Sequence, residues 1–445
     1  MKYFCPNVLQ QWTGGYWTRF PNQPITNFCF DTRQLKPNEC FLALRSEHND
    51  GHDYVDMAEA CGAVAALVDH PIETCSLPQL VVTNTLKAFQ DIAKNYRNIL
   101  KTCIVGITGS CGKTTAKELL ALLLGPETFK TPGNYNNHLG LPFSITQIDE
   151  EKHPFAVLEV GISEPGEMEG LSELLQPDFA VVLNVNPVHL ENFKMLEAIV
   201  CEKLKLLQKA KKHVFYPCEW RSYVQHPNGF AFSFNQESGL DTIALELKMI
   251  PEGWQIKVDG CPFHLPFLIG EKSAQTFAQV LAVALNLGVP KHQLQESLLL
   301  WQPYAQRGVW VKQSERKIFV DCYNANPAAF SDSLQHFYRE LDTCNLPNTA
   351  VCYCIGSMLE LGEGSVAFHR DLAKHFRIGQ NDHFILIGVY KEALQDGFKA
   401  VGVPTSHIHL ADAIAEIQEL FNKLPCNFAY LKGSHRYHLE NLIAN

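Results

Sequence analysis

Residues 102–125, TCIVGITGSCGKTTAKELLALLLG, constrain the fold more than any other stretch of this 445-residue chain. TCIVGIT is a near-continuous apolar run of the kind that forms a strand buried on both faces. GSCG is a turn of small residues, and KTTAKELLALLL is a helical pattern stopped by Gly125-Pro126. Such a strand, turn and helix aim backbone N–H groups and a helix N-terminus at one spot, where an anion is stabilised. Gly109 and Gly112 let the backbone approach oxygen atoms closely, Lys113 supplies a charge for outer phosphates, and the Thr114 hydroxyl suits Mg²⁺. The spacing is irregular: Ile107 stands where a phosphate loop usually has glycine, and Gly106 lies one step earlier.

The rest of the chain repeats this rhythm. FAVLEVG precedes GEMEGLSELL, and FAVVLNV precedes MLEAIVCEKLKLL, so a parallel sheet covered on both faces is expected to about Pro303. Before it, short strand-like runs (CFLAL, AALVDH, QLVVTN) and one clear helix, DYVDMAEACGA, read as a small α/β domain. After it, KIFVDCYN, TAVCYCIG, HFILIGV, HIHLAD and FAYLKGS describe a further α/β unit. That unit lacks a GxGxxG turn, so dinucleotide binding has no support there. The expected fold class is α/β in three domains, over residues 1–100, 101–304 and 305–445.

A formal net charge of −10 argues against a nucleic-acid or anionic-membrane partner, both of which need a basic surface. The longest apolar segments, such as QVLAVALNLGV, are about half a membrane span. No basic region followed by an apolar run opens the chain, so no secretory signal is visible. Fifteen scattered cysteines without a CxxC pair fit reduced thiols, hence a cytoplasmic protein. Cys352 and Cys354, within TAVCYCIG, read as strand core.

One lysine is out of place. Leu196, Ile199, Val200, Leu204 and Leu207 form one apolar stripe on a helix, and Lys203 falls inside it while Glu202 and Lys205 point elsewhere. An ammonium there must snorkel, pair or change its charge. Glu159 ends one strand and His189 follows another, at the strand ends where open parallel sheets bind ligands. Each is unremarkable alone; beside a phosphate loop they become candidate metal ligands.

These motifs together resemble the Mur ligase family over nearly the whole chain. GITGSCGKTTAKE is similar to the family's own phosphate loop, in which the extra residue is normal, and GNYNNHLGLP, AVLEVGISEPGEM, NVNPVHLENF, EKLKLL, VDCYNANPAAF, GSMLELGEGSVAFH and LKGSH follow in family order. The resemblance implies ATP-driven amide formation joining D-alanyl-D-alanine to UDP-N-acetylmuramoyl-tripeptide through an acyl phosphate. It implies a UDP-sugar-binding N-terminal domain, a central ATPase domain and a Rossmann-like C-terminal domain. It also implies that Gly109, Ser110, Cys111, Gly112, Lys113, Thr114 and Thr115 bind ATP, with Arg307, Asp321, Asn324 and Asn326 approaching from the C-terminal domain. Thr114 and Glu159 would hold one Mg²⁺, and His189 with a carbamylated Lys203 a second, so that Lys113, His189 and Lys203 carry the chemistry. Asp31, Thr32, Arg33, Asn136 and Asn137 would meet the UDP-substrate. The expected partners are these small molecules, with no nucleic acid and no membrane insertion, and the expected state is a monomer.

Several positions depart from the family pattern. Cys111 stands where Asn, Ser or Thr is frequent, and His138 replaces an acidic residue. Lys272, Ser273 and Thr276 take the places of a histidine and two asparagines, the second of which would contact adenine, and His435 takes that of an arginine. Two other readings stay open: a sister ligase adding a diamino acid, whose DNPR-like sequence is not found, and a phosphate-loop protein without catalysis. Without the family, NANP is equally a turn that starts a helix, and Asp31–Arg33 a solvated turn.

Overall fold

The computed structural model describes residues 3–186, 190–235, 239, 241–304, 307–313, 315–344 and 350–443. His189 lies outside the described residues. The chain is α/β and forms three sheets, of five, nine and six strands.

In the central sheet, seven strands from Phe129–Lys130 to Thr242–Ile250 run parallel. Strand Cys103–Thr108 lies in the middle, between Phe155–Glu159 and Phe179–Val182. Its apolar side chains alternate between two cores: Ile104 faces one and Val105 and Ile107 the other, which explains the near-continuous apolar run. Helices Lys113–Leu124 and Glu271–Asn286 cover one face, and Leu196–Gln208 the other. Pairing of Ile107 with Glu159 and of Thr108 with Val182 brings three strand ends to one edge. The phosphate loop, Glu159 and the segment after Val182 therefore meet.

The structure adds elements that the periodicity reading missed. The sheet is extended by an antiparallel meander, Thr242–Ile250, Gly253–Val258 and Cys261–Leu265, in place of further strand–helix units. The N-terminal region also gains helix Thr85–Ile99, capped by the Asn84 side chain, which accepts the Lys87 N–H at 2.8 Å. This helix ties the first sheet to the central one. Its buried Arg97 donates to the Leu175 carbonyl at 2.8 Å and pairs with Asp178 at 3.1 Å. The C-terminal sheet is parallel except for its first strand, Arg307–Gln313, which runs antiparallel to Arg316–Asp321. Cys352 and Cys354 are strand-core residues, as their apolar setting predicts.

Candidate active site

The phosphate loop is fixed by asparagines. Ser110 N–H donates to the Asn184 carbonyl (3.0 Å) and Ser110 Oγ to that of Asn186 (3.0 Å). The Asn184 side chain bonds both backbone groups of Cys111, at 2.9 Å each. The Cys111 amide is thus occupied, and the helix that begins at Lys113 presents its first turn to the cleft. Gly112 precedes that helix at φ 79°, and a Cβ there would lie 2.8 Å from Thr276 Oγ1, so glycine is required twice over. Asn184 and Asn186 were not singled out from sequence; the signal was two asparagines in NVNP at a strand end.

Beneath the loop, two lysines converge. Lys113 Nζ donates to the Gly109 carbonyl at 2.8 Å, and Lys203 Nζ donates to the same oxygen at 3.3 Å. Lys203 is 1% exposed. Burial first, and then the Lys113 charge, hold its pKa well below the usual lysine range. Glu202, expected to point elsewhere, is buried too, but its carboxylate serves a different contact, accepting the Met168 N–H at 2.9 Å.

Glu159 is 3% exposed and faces the first turn of the phosphate-loop helix. One carboxylate oxygen accepts the Thr114 hydroxyl at 2.9 Å, and the other accepts Asn136 Nδ2 at 2.8 Å. Both donors are neutral, so these contacts leave the carboxylate charge uncompensated. A hydroxyl and a carboxylate beside a phosphate site are the oxygen donors that Mg²⁺ takes. Lys117 supports this corner from behind: its buried ammonium donates to the carbonyls of Thr131 (2.9 Å) and Gly133 (3.1 Å), in the loop that carries Asn136.

The opposite wall comes from the C-terminal sheet, and the two walls enclose a cleft of about 810 Å³. Asn326 caps helix Pro327–Thr343, accepting the Ala329 N–H at 2.8 Å, and its Nδ2 lies 3.3 Å from Cys111 Sγ. NANP is therefore both a helix start and a point of contact with the phosphate loop. Asn324 accepts the Ala325 N–H at 2.8 Å, and Asp321 pairs with the buried Lys432 at 2.5 Å. Arg307 stacks on Tyr323, 4.0 Å from the ring centroid, and its buried Nε has no hydrogen-bond partner among the described residues. Asp332 closes the junction: Ser273 Oγ and the backbone N–H groups of Lys272 and Ser273 donate to it, at 2.6, 2.7 and 3.2 Å. One departure from the family pattern, Ser273, thus serves a contact between walls through its side chain, and Thr276 packs against the phosphate loop.

The remaining candidates lie elsewhere. Asp31 forms an exposed pair with Arg33 at 2.7 Å, and Thr32 Oγ1 is 3.5 Å from Met57 Sδ. They are not among the cleft-lining residues, although the adjacent Phe30 packs edge-to-face on Tyr135, next to Asn136. Asn137 turns its side chain to helix Gly140–Gln147, accepting the Gly140 N–H at 2.9 Å, and His138 is exposed.

Residues 107–253 match the Mur ligase middle domain and residues 306–424 the Mur ligase, glutamate ligase domain. The chain is 31% identical over 376 residues to UDP-N-acetylmuramoyl-tripeptide–D-alanyl-D-alanine ligase of Synechocystis sp., covering 81% of this chain and 79% of that one. Its structure resembles MurF from Acinetobacter baumannii with a TM-score of 0.84, at 26% identity over 99% and 98% of the two chains. It also resembles MurF ligase from Thermotoga maritima in complex with ADP, with a TM-score of 0.75 at 25% identity over 94% and 96%.

Proposed function

The chain belongs to the Mur ligase family, and we propose that the cleft between its central and C-terminal sheets is where ATP, a carboxylate and an amine are brought together. It is a ligase that joins D-alanyl-D-alanine to UDP-N-acetylmuramoyl-tripeptide, a step of peptidoglycan precursor synthesis driven by ATP. The tripeptide's terminal carboxylate attacks the γ-phosphorus, and ADP departs with the bridging oxygen. The amine of D-alanyl-D-alanine then attacks the acyl-phosphate carbonyl, loses a proton and expels phosphate, leaving an amide.

Carboxylate and triphosphate repel, so cations must hold them together. In this reading Lys113 and the first turn of its helix take the phosphates of ATP, with Arg307, Asp321, Asn324 and Asn326 on the nucleotide from the facing wall. Thr114 and Glu159 would hold one Mg²⁺, and His189 and a carbamylated Lys203 the other. When bound, these ions supply positive charge to the crowded oxygens. Asp31, Thr32, Arg33, Asn136 and Asn137 are taken as contacts of the UDP-substrate. Residues 1–100, 101–304 and 305–445 are its three working units. We further take the enzyme to act as a cytoplasmic monomer; no described helix is long and apolar enough to cross a membrane.

The observation that carries the reading is the convergence of Lys113 and Lys203 on one carbonyl oxygen. Two lysine nitrogens that share a single acceptor among the described residues leave room for anions: phosphate at Lys113, and a carbamate in place of the Lys203 amine. The test is phosphate release with UDP-N-acetylmuramoyl-tripeptide, with and without D-alanyl-D-alanine, on wild type and Lys203→Ala, alongside intact-mass measurement under native conditions. Release that needs both acceptors, loss of it in the variant, and a wild-type mass higher by one CO₂ are expected. Full activity of Lys203→Ala, together with no response of wild type to added CO₂, overturns the carbamate.

A further inference from the structure

The segment after the last strand, Phe428–Lys432, brings together three side chains that the ligase reading leaves unused. His435 stands in the turn His435–Tyr437, and Glu440 in the turn Leu439–Leu442. Between them His438 adopts a left-handed backbone, φ 48°, which reverses the chain and sets the two imidazoles edge-to-face with centroids 5.1 Å apart. His435 Nε2 and His438 Nδ1 each lie 3.3 Å from the same Glu440 oxygen, and the three donor atoms all fall within 4.8 Å of one another.

The cluster leaves one buried oxygen unmatched among the described residues. The Glu440 side chain is only 13% exposed, whereas the histidines are about half exposed, at 50% and 55%. Its second oxygen is buried and has no hydrogen-bond partner among the described residues. An inward-facing carboxylate with an unmatched oxygen is costly. Both imidazoles approach its first oxygen, so neither meets the second. A guanidinium, the usual group at the His435 position, would pair with Glu440 and could not ligate a metal, because it has no lone pair to give. Imidazole can.

We propose that His435, His438 and Glu440 form a binding site for a divalent transition ion of the Zn²⁺ type, at the rim of the ATP cleft. Ligand bonds of about 2.0–2.1 Å in a tetrahedral shell place neighbouring donors roughly 3.3 Å apart, the spacing of two of the three pairs here. Two imidazoles and one carboxylate suit a borderline metal, whereas Mg²⁺ prefers oxygen donors and retains water. Three protein ligands leave a fourth position for water. The His435 ring lies 5.7 Å from that of Tyr323, which lines the cleft and carries Arg307 on its face, so an ion here would tie the C-terminal segment to the cleft wall. A second His/Asp/His group, His52, Asp69 and His70, does not qualify. His52 Nε2 accepts the Asp69 N–H at 3.0 Å and its Nδ1 is 2.5 Å from Asp50, so both nitrogens are engaged.

The test is calorimetric titration of the full-length protein with Zn²⁺, in buffer containing Mg²⁺ so that oxygen-rich sites are filled. Wild type is compared with His435→Ala and His438→Asn; asparagine tolerates the left-handed backbone while removing the imidazole. Both positions are half exposed, so the variants fold, which equal melting temperatures without metal verify. Wild type should bind one more equivalent of Zn²⁺ than either variant, or bind that equivalent on the order of 100-fold more tightly. With Co²⁺ as probe, wild type alone should show the visible absorption of a tetrahedral ion. Superimposable isotherms and Co²⁺ spectra for all three proteins overturn the proposal.

Discussion

Lys117, Lys432 and Lys203 are equally buried, at 0%, 1% and 1% exposure, yet they are equipped differently. Lys117 bonds two carbonyls and pairs with Glu118 at 3.1 Å. Lys432 pairs with Asp321 and reaches the carbonyls of Asp321 (3.4 Å) and Asn324 (3.2 Å). Among the described residues, Lys203 has one long bond, to a carbonyl that Lys113 already occupies. A buried ammonium kept for architecture is surrounded by acceptors and an anion. One left without them marks a place where negative charge arrives from outside. Burial alone does not separate the two kinds; compensation does.

The largest expected break in that comparison is functional. Lys203→Met should lower phosphate release by on the order of 10³-fold. The same change should leave unfolding free energy unchanged or raise it by about 1 kcal/mol, because an under-compensated charge leaves an apolar stripe. Lys117→Met should behave in the opposite sense. Urea unfolding should show a loss of about 4 kcal/mol, since the carbonyls of Thr131 and Gly133 lose their donor and Glu118 one of its cations. Activity should fall less than in Lys203→Met, through displacement of Asn136 from Glu159.

A smaller effect concerns His336, on helix Pro327–Thr343 and among the residues that line the cleft. Burial, foremost, pushes its pKa down to about 4. The folded protein then binds fewer protons than the unfolded chain between pH 6.5 and 4, so stability is present above that window and lost as pH falls through it. The loss reaches about 3 kcal/mol at its lower end. In His336→Gln the pH dependence of urea midpoints over this window should flatten; an unchanged slope would show that other groups carry it. Smallest is Asp332→Ala, which removes the cap on Lys272 and Ser273. It should cost about 1 kcal/mol, read as a roughly fivefold rise in KM for ATP with little change in kcat.

The contrast between lysines was half legible in the sequence. Lys203 could be found because helical periodicity exposes a charge in an apolar stripe, and the phosphate loop because strand, small turn and helix are contiguous. Lys432 could not be judged, since its partner Asp321 is 111 residues away and only the sheet register unites them. Asp332 and Ser273 meet for the same reason, across 59 residues. Asn184 and Asn186 read as ordinary turn residues in the sequence, whereas the Asn184 side chain and the Asn186 backbone hold the loop. The antiparallel meander was hidden by the parallel rhythm before it, although WQIKV alternates as a half-buried strand should. Family resemblance supplied His189, which stands outside the described residues, and the substrate role of Asn137, whose side-chain oxygen accepts the Gly140 N–H.

The most direct measurement sets Lys203→Met beside Lys117→Met, with urea unfolding and phosphate release recorded on the same preparations. An inactive Lys203→Met that unfolds no earlier than wild type, together with a destabilised Lys117→Met that retains measurable turnover, is the predicted result. A Lys203→Met protein that is destabilised as much as Lys117→Met, or that turns over at the wild-type rate, would contradict the assignment of Lys203 to chemistry.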